Sequence, residues 1–114
     1  MSGIHILGAG AIPWGKQTVM TQLQMALAAI NAALRDAELS WKDIDGVVAA
    51  SSRFEGGMGW GLHANEIVQA ISERGVPCIN VGGACAAGAI AFQTAFSMIA
   101  SGQSEAVVVI GAER

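Results

Sequence analysis

The most constraining feature of this sequence is a helix with no polar side. Residues 85–101 carry Ala, Ile, Phe and Met all round a helical projection; their only polar side chains, apart from the Cys85 thiol, are Gln93, Thr94, Ser97 and Ser101. A surface helix needs a polar face, and a helix that is apolar all round is covered on every side. One sheet covers only one side, so the outer side of this helix is expected to meet a further layer. The segment belongs to a longer run without charge, residues 75–104. Pro77, Asn80, Gly82, Gly83, Gln93, Thr94 and Ser97 interrupt that run, so it reads as protein core rather than a membrane span.

Composition points the same way. Hydrophobic residues make up 53% of the chain and 15 further residues are glycine, while charged residues are 13%, about half the usual share. Intrinsic disorder, which needs low hydrophobicity and high charge, is excluded. A net charge of -3, with six scattered Lys and Arg, offers no basic patch to nucleic acid or an anionic membrane. The apolar surplus calls for a large interface, so the chain is expected as a homo-oligomer rather than a monomer. No basic stretch precedes an apolar one at the start, so no secretory signal is expected. Cys78 and Cys85, even with His5 and His63, match neither a disulfide framework nor a zinc spacing. No metal is expected, and the expected setting is reducing and cytoplasmic.

Strands and helices alternate along the chain, which defines an α/β domain. Strands are expected at residues 4–7, 47–50, 76–81 and 106–110. The last three are continuous apolar runs, the pattern of strands covered on both faces in a mostly parallel sheet. Helices are expected from Thr18 or Thr21 to Ala37, from Leu62 to Arg74, and over 85–101. Thr21 and Gln24 fit a capping box. Leu23, Ala26, Leu27, Ile30, Ala33, Leu34 and Ala37 then form one apolar face at helical spacing. Gly75 is placed as the cap of the second helix, and Gly102 ends the third.

Gly8-Ala9-Gly10 follows the first expected strand but does not complete a dinucleotide fingerprint. Pro13 stands where the third glycine belongs, and no acidic residue ends the next strand. Glu55-Gly56-Gly57-Met58-Gly59-Trp60-Gly61 reads as a flexible connection, as the shaping element of a substrate channel, or as a partner-contacting loop through Met58 and Trp60. Cys78 reads as structural within its strand, and His5 as a core or strand histidine. His63 opens the second helix, where it is a candidate base.

Gly82-Gly83-Ala84-Cys85-Ala86-Ala87-Gly88 is the informative segment. It joins an apolar strand to the apolar helix and sets Cys85 at the helix N-terminus. Unpaired amides and the helix dipole there favour a thiolate and can hold the oxyanion of an acyl-transfer intermediate. Gly83, Ala84 and Gly88 leave room for a thioester to approach the sulfur. Equally, Cys85 can be a small cysteine packed as a hydrophobe; the residues alone leave both open.

The order of motifs resembles the thiolase superfamily. Its nucleophile region runs Cys85-Ala86-Ala87-Gly88, then Ile99-Ala100-Ser101-Gly102, then a strand ending Gly111-Ala112-Glu113. Upstream, a Pro13-Trp14-Gly15 loop, a helix ending ALRDAEL and Asp43-Ile44-Asp45-Gly46 are most similar to sterol-carrier-protein-like thiolases, the lipid-transfer and acetyl-CoA acetyltransferase group. The resemblance covers nearly the whole chain. Gly82, where many thiolases carry Asn, and Ala87, where Ser or Thr is commoner, depart from the pattern.

The resemblance implies the N-terminal half of a three-layer α/β/α thiolase fold, residues 1–114. Its sheet would be mixed and mostly parallel, and the nucleophile helix would lie buried between two halves. Cys85 would take an acyl group from acyl-CoA or a 3-ketoacyl-CoA, in thiolytic cleavage or Claisen condensation. Coenzyme A enters as a thioester substrate rather than as a cofactor. Family members are about three times longer, and the second half supplies the activating His, the acid/base Cys and further oxyanion donors. The chain alone is therefore expected to be nearly inactive. Expected partners are another copy, paired along residues 76–81, a C-terminal thiolase half, or an OB-fold subunit. The rivals are a ketoacyl synthase of the initiating type, which shares the Cys motif, and a non-catalytic lipid-binding or scaffold subunit.

Overall fold

Gly46–Ala50 (β1) is buried at all five positions, because it is the middle strand of a three-stranded sheet in the order β2-β1-β3. The computed structural model describes residues 3–13, 20–51, 63–71 and 75–112. Cys78–Val81 (β2) and Val107–Gly111 (β3) flank β1, and both pairings are parallel. Side chains alternate across a strand. Val47 and Ala49 face a cluster with Ala26, Ile30, Leu34, Ala64 and Ile67, while Val48 and Ala50 face Ala87, Ala91, Ala95 and Met98. The sheet thus separates two helical layers and gives the expected three-layer α/β/α arrangement.

The helices Gln22–Ala37 (α1) and Ala64–Ile71 (α2) cover one face. The capping box forms as the sequence predicts: Thr21 Oγ1 accepts from the Gln24 amide, and Gln24 Oε1 from the Thr21 amide. Glu38 ends α1 in the left-handed region, at φ 59. Met25, Ala26, Ile30 and Leu34 are the buried stripe. For α2, the expected ends at Leu62 and Arg74 lie outside the described residues. So do residues 55–61 and most of the Pro-Trp-Gly loop.

The helix Ala87–Ala100 (α3) covers the other face. A connection returning to β3 is fixed at several points. Gly102, at φ 80, takes the left-handed position after the helix. The Ser104 amide donates to Met98 O at 3.1 Å. The Asp45 carboxylate accepts from the amides of Glu105 (2.9 and 3.1 Å) and Ala106 (3.0 Å), clamping the start of β3 to the start of β1. Gly46 follows that clamp because a Cβ there would lie 2.9 Å from Met98 Cε and 3.2 Å from Val107 Cγ2.

Two expectations change. Residues 4–7 form no strand. Gly8 and Gly10 instead seat the segment on the small residues of α1: a Cβ on Gly8 would stand 2.6 Å from Ala33 O, and one on Gly10 would collide with the backbone of Ala29 and Ala33. The Ala9 amide donates to Asp36 Oδ2 at 2.9 Å, so it serves α1 rather than a ladder. Ile6 and Leu7 remain exposed. All three strands present are parallel, so the mixed character expected of the sheet does not occur among the described residues. Within this chain the sheet covers only one side of α3, as its pattern leads one to expect. The helix buries Ala87, Ala91, Ala95 and Met98 and leaves Ile90, Phe92 and Phe96 in solvent.

Candidate functional site

Parallel strands bring their C-terminal ends to one rim, the usual place for a ligand on an open α/β sheet. β2 runs to Val81, then Gly82 and Gly83 lead into a 3-10 turn, Ala84–Ala86, and α3 follows directly. Cys85 lies in the middle of that turn, is exposed and is a free thiol. The sequence places it as the first residue of the helix; the structure inserts the short turn and starts the α-helix at Ala87. The turn is closed by the Ala86 amide donating to Gly83 O at 2.9 Å. The N-cap of α3 is Ala86, which brings no side-chain acceptor.

Gly83 and Gly88 differ in what they do. A Cβ on Gly83 would collide with Cδ1 of Ile90, so glycine lets the turn fold against α3. A Cβ on Gly88 would meet nothing; that position is open surface one turn from the thiol. Ala84 belongs to the turn itself. Cys78 is half-buried and packs against the cluster beneath α1 and α2, in keeping with a structural role. The two cysteines therefore have separate environments, one at the start of β2 and the other beyond its C-terminal end.

His63 precedes α2 and forms a capping arrangement with Glu66. Its amide donates to Glu66 Oε2 at 2.9 Å, and its Nδ1 lies 3.7 Å from the same oxygen. His5 is exposed and away from any strand. Two residues that tie the frame together were given no such role from sequence. Asp45 is the clamp described above. Asn80, in β2, accepts the Ala64 amide through Oδ1 at 2.6 Å. The signal for Asn80 was a lone amide side chain inside an apolar strand.

A family model described as the N-terminal domain of thiolase matches residues 4–114. The chain belongs to that family. It is 37% identical over 93 residues to a β-ketoacyl-[acyl-carrier-protein] synthase III of Rhodobacter capsulatus, covering 82% of this chain and 28% of the relative. It also superposes on the crystal structure of 3-oxoacyl-[acyl-carrier-protein] synthase III from Aquifex aeolicus VF5. That match has a TM-score of 0.71 and 30% identity, over 84% of this chain and 30% of the other. The chain thus spans less than a third of the length of either relative.

Proposed function

We propose that this chain carries the nucleophile of an acyl-transfer enzyme and that Cys85 is the acyl acceptor. The supporting observation is the placement of a free, exposed thiol in the turn that enters α3, at the C-terminal rim of a parallel sheet. The Cys85 thiolate attacks the carbonyl carbon of an acyl thioester such as acyl-CoA. The carbonyl oxygen carries the charge of the tetrahedral intermediate, and amides at the start of α3 are suited to stabilise it. The carbon–sulfur bond to coenzyme A then breaks. Coenzyme A leaves as a thiol, taking up the proton that Cys85 gave up, and the acyl group remains on Cys85. Gly88 leaves open surface one turn from the thiol, and Gly83 lets the turn fold against α3. No further cofactor enters this step.

The acyl group then passes to a second nucleophile. The two relatives named as synthase III support condensation with an acyl group on an acyl carrier protein. The Asp43-Ile44-Asp45-Gly46 stretch, which favoured a sterol-carrier-like thiolase on sequence, is accounted for here by the β1–β3 clamp and no longer separates the two. The initiating ketoacyl synthase is therefore the preferred member of the acyltransferase class, with thiolysis as the second reading. Turnover is proposed to need residues outside this chain. The apolar outer face of α3 is proposed to pack against a second α/β unit, either another copy or a C-terminal half. A cytoplasmic setting suits a coenzyme A thioester substrate, and no described helix is long and apolar enough to cross a membrane.

Incubation with acetyl-CoA, followed by intact mass measurement and peptide mapping, tests the acyl acceptor. One acyl group on the Cys85 peptide, lost in Cys85→Ala, is expected. Acylation of Cys78, or none, overturns the proposal. With the second unit supplied, discharge of the acylated protein by an acyl-loaded carrier protein, rather than by free coenzyme A, selects condensation.

A further inference from the structure

We infer that Asn80 is a positioning residue for the nucleophile turn. β2 alternates: Ile79 and Val81 pack with α3, and Cys78 packs beneath α1 and α2, so Asn80 shares the α2 side with Cys78. Its Oδ1 accepts the N–H of Ala64 at 2.6 Å. Ala64 is the first residue of α2 and is fully buried. The first amides of a helix have no partner within it, and a buried amide left unpaired is costly. The strand therefore supplies what a local capping side chain does not, while Glu66 takes the preceding amide of His63.

The next residue of β2 performs the matching task for β1. Val81 O accepts the Ser51 amide at 3.2 Å. The last two residues of β2 thus hold both the exit of β1 and the entry of α2. Gly82 and Gly83 follow at once, then the Cys85 turn. With glycines between, the offset of the turn from α2 depends on what fixes each side, and Asn80 is the side-chain link. It keeps the first turn of α2, with His63 and Glu66, at a set position on the rim that Cys85 occupies.

Three variants of the full chain test this. Asn80→Leu keeps the volume and removes the acceptor, Asn80→Asp keeps an acceptor oxygen, and Asn80→Ser is polar but too short to reach Ala64. Misplacement by about 1 Å can cost a reacting pair about a hundredfold. Asn80→Leu is therefore expected to change the iodoacetamide alkylation rate of Cys85 by at least roughly threefold and to slow acylation by acetyl-CoA by roughly tenfold. Asn80→Asp should restore both. Only the acylation arm rests on the proposed function. If the parent chain is not acylated, that reading fails, while alkylation still decides the role of Asn80. Should Asn80→Leu lose its cooperative melt, Asn80→Ser takes its place. Parent alkylation rates in the Leu or Ser variant, or an Asp variant that behaves like Leu, overturn the inference.

Discussion

Replacing Phe92 and Phe96 by Gln should separate folding from association. The two rings are 52% and 50% exposed, on the side of α3 away from the sheet. Full burial of a Phe side chain is worth roughly 1.5–3 kcal/mol. Half of that surface is already in water, so each replacement removes about 1 kcal/mol from the isolated chain. Gln is a good helix former, so propensity adds little. The double variant should lose about 2 kcal/mol in urea unfolding at low protein concentration, and should melt cooperatively. Ala91→Gln, by contrast, puts a long polar side chain into a fully buried position against β1 and should cost at least about 3 kcal/mol. In sedimentation equilibrium at micromolar concentration the parent chain should associate. The double variant should shift toward a species of 11.6 kDa. A parent chain that sediments as a single 11.6 kDa species without binding hydrophobic dyes would refute the interface. A loss well above that of Ala91→Gln would show that the rings pack inside the chain.

Other substitutions probe the frame. Asp45→Ala removes the acceptor for the Glu105 and Ala106 amides and should cost roughly 1.5–3 kcal/mol in thermal or urea unfolding, with Asp45→Asn recovering part. Ser104 Oγ is buried with no hydrogen-bond partner among the described residues, so Ser104→Ala should be neutral or stabilise by up to about 1 kcal/mol in the same assay. Alkylation with peptide mapping should label exposed Cys85 before half-buried Cys78; preferential labelling of Cys78 in the folded chain would contradict the placement of the site.

What could be read from sequence followed the strength of the local signal. β1 and β3 are continuous apolar runs with nothing else to be. The capping box of Thr21 and Gln24 and the left-handed Gly102 are short-range features, set by a few neighbouring residues, and they form where expected. Residues 4–7 failed because the same β-favouring residues can lie extended without pairing. What decides between these is a long-range contact: Gly8 and Gly10 against Ala29, Ala33 and Ala37, with Ala9 held by Asp36. A Gly-x-Gly after an apolar tetrad looks like a strand-to-loop transition whether its glycines approach a phosphate or a helix. Cys85 stands out through the glycines and alanines around it. Asn80 and Asp45 were not, since each acts on backbone amides distant in sequence, 16 and about 60 residues away, and an amide leaves no mark on the sequence that names its partner.

The helix that drew attention first also shows how the site is built. Its hydroxyls turn back on the helix itself: Thr94 Oγ1 donates to Ile90 O at 2.8 Å, Ser97 Oγ to Gln93 O at 3.1 Å, and Ser101 Oγ to Met98 O at 3.2 Å. These groups bring their own acceptors, so they do not oblige the helix to face water. The distribution of bulk is the reverse of an ordinary surface helix. Its sheet side is mainly alanine, at 87, 91 and 95, which lets α3 lie close on Val48 and Ala50, while Phe92 and Phe96 project outward. Side chains that size on the sheet side would hold the helix away from β1 and carry the Cys85 turn with it. On the outer side they are free to make the proposed contact with a second layer. The Cys85 turn sits at the N-terminal end of this helix, so in the proposed assembly Cys85 lies at the seam between the layers. There, groups from the opposing unit can complete what this chain's own amides begin.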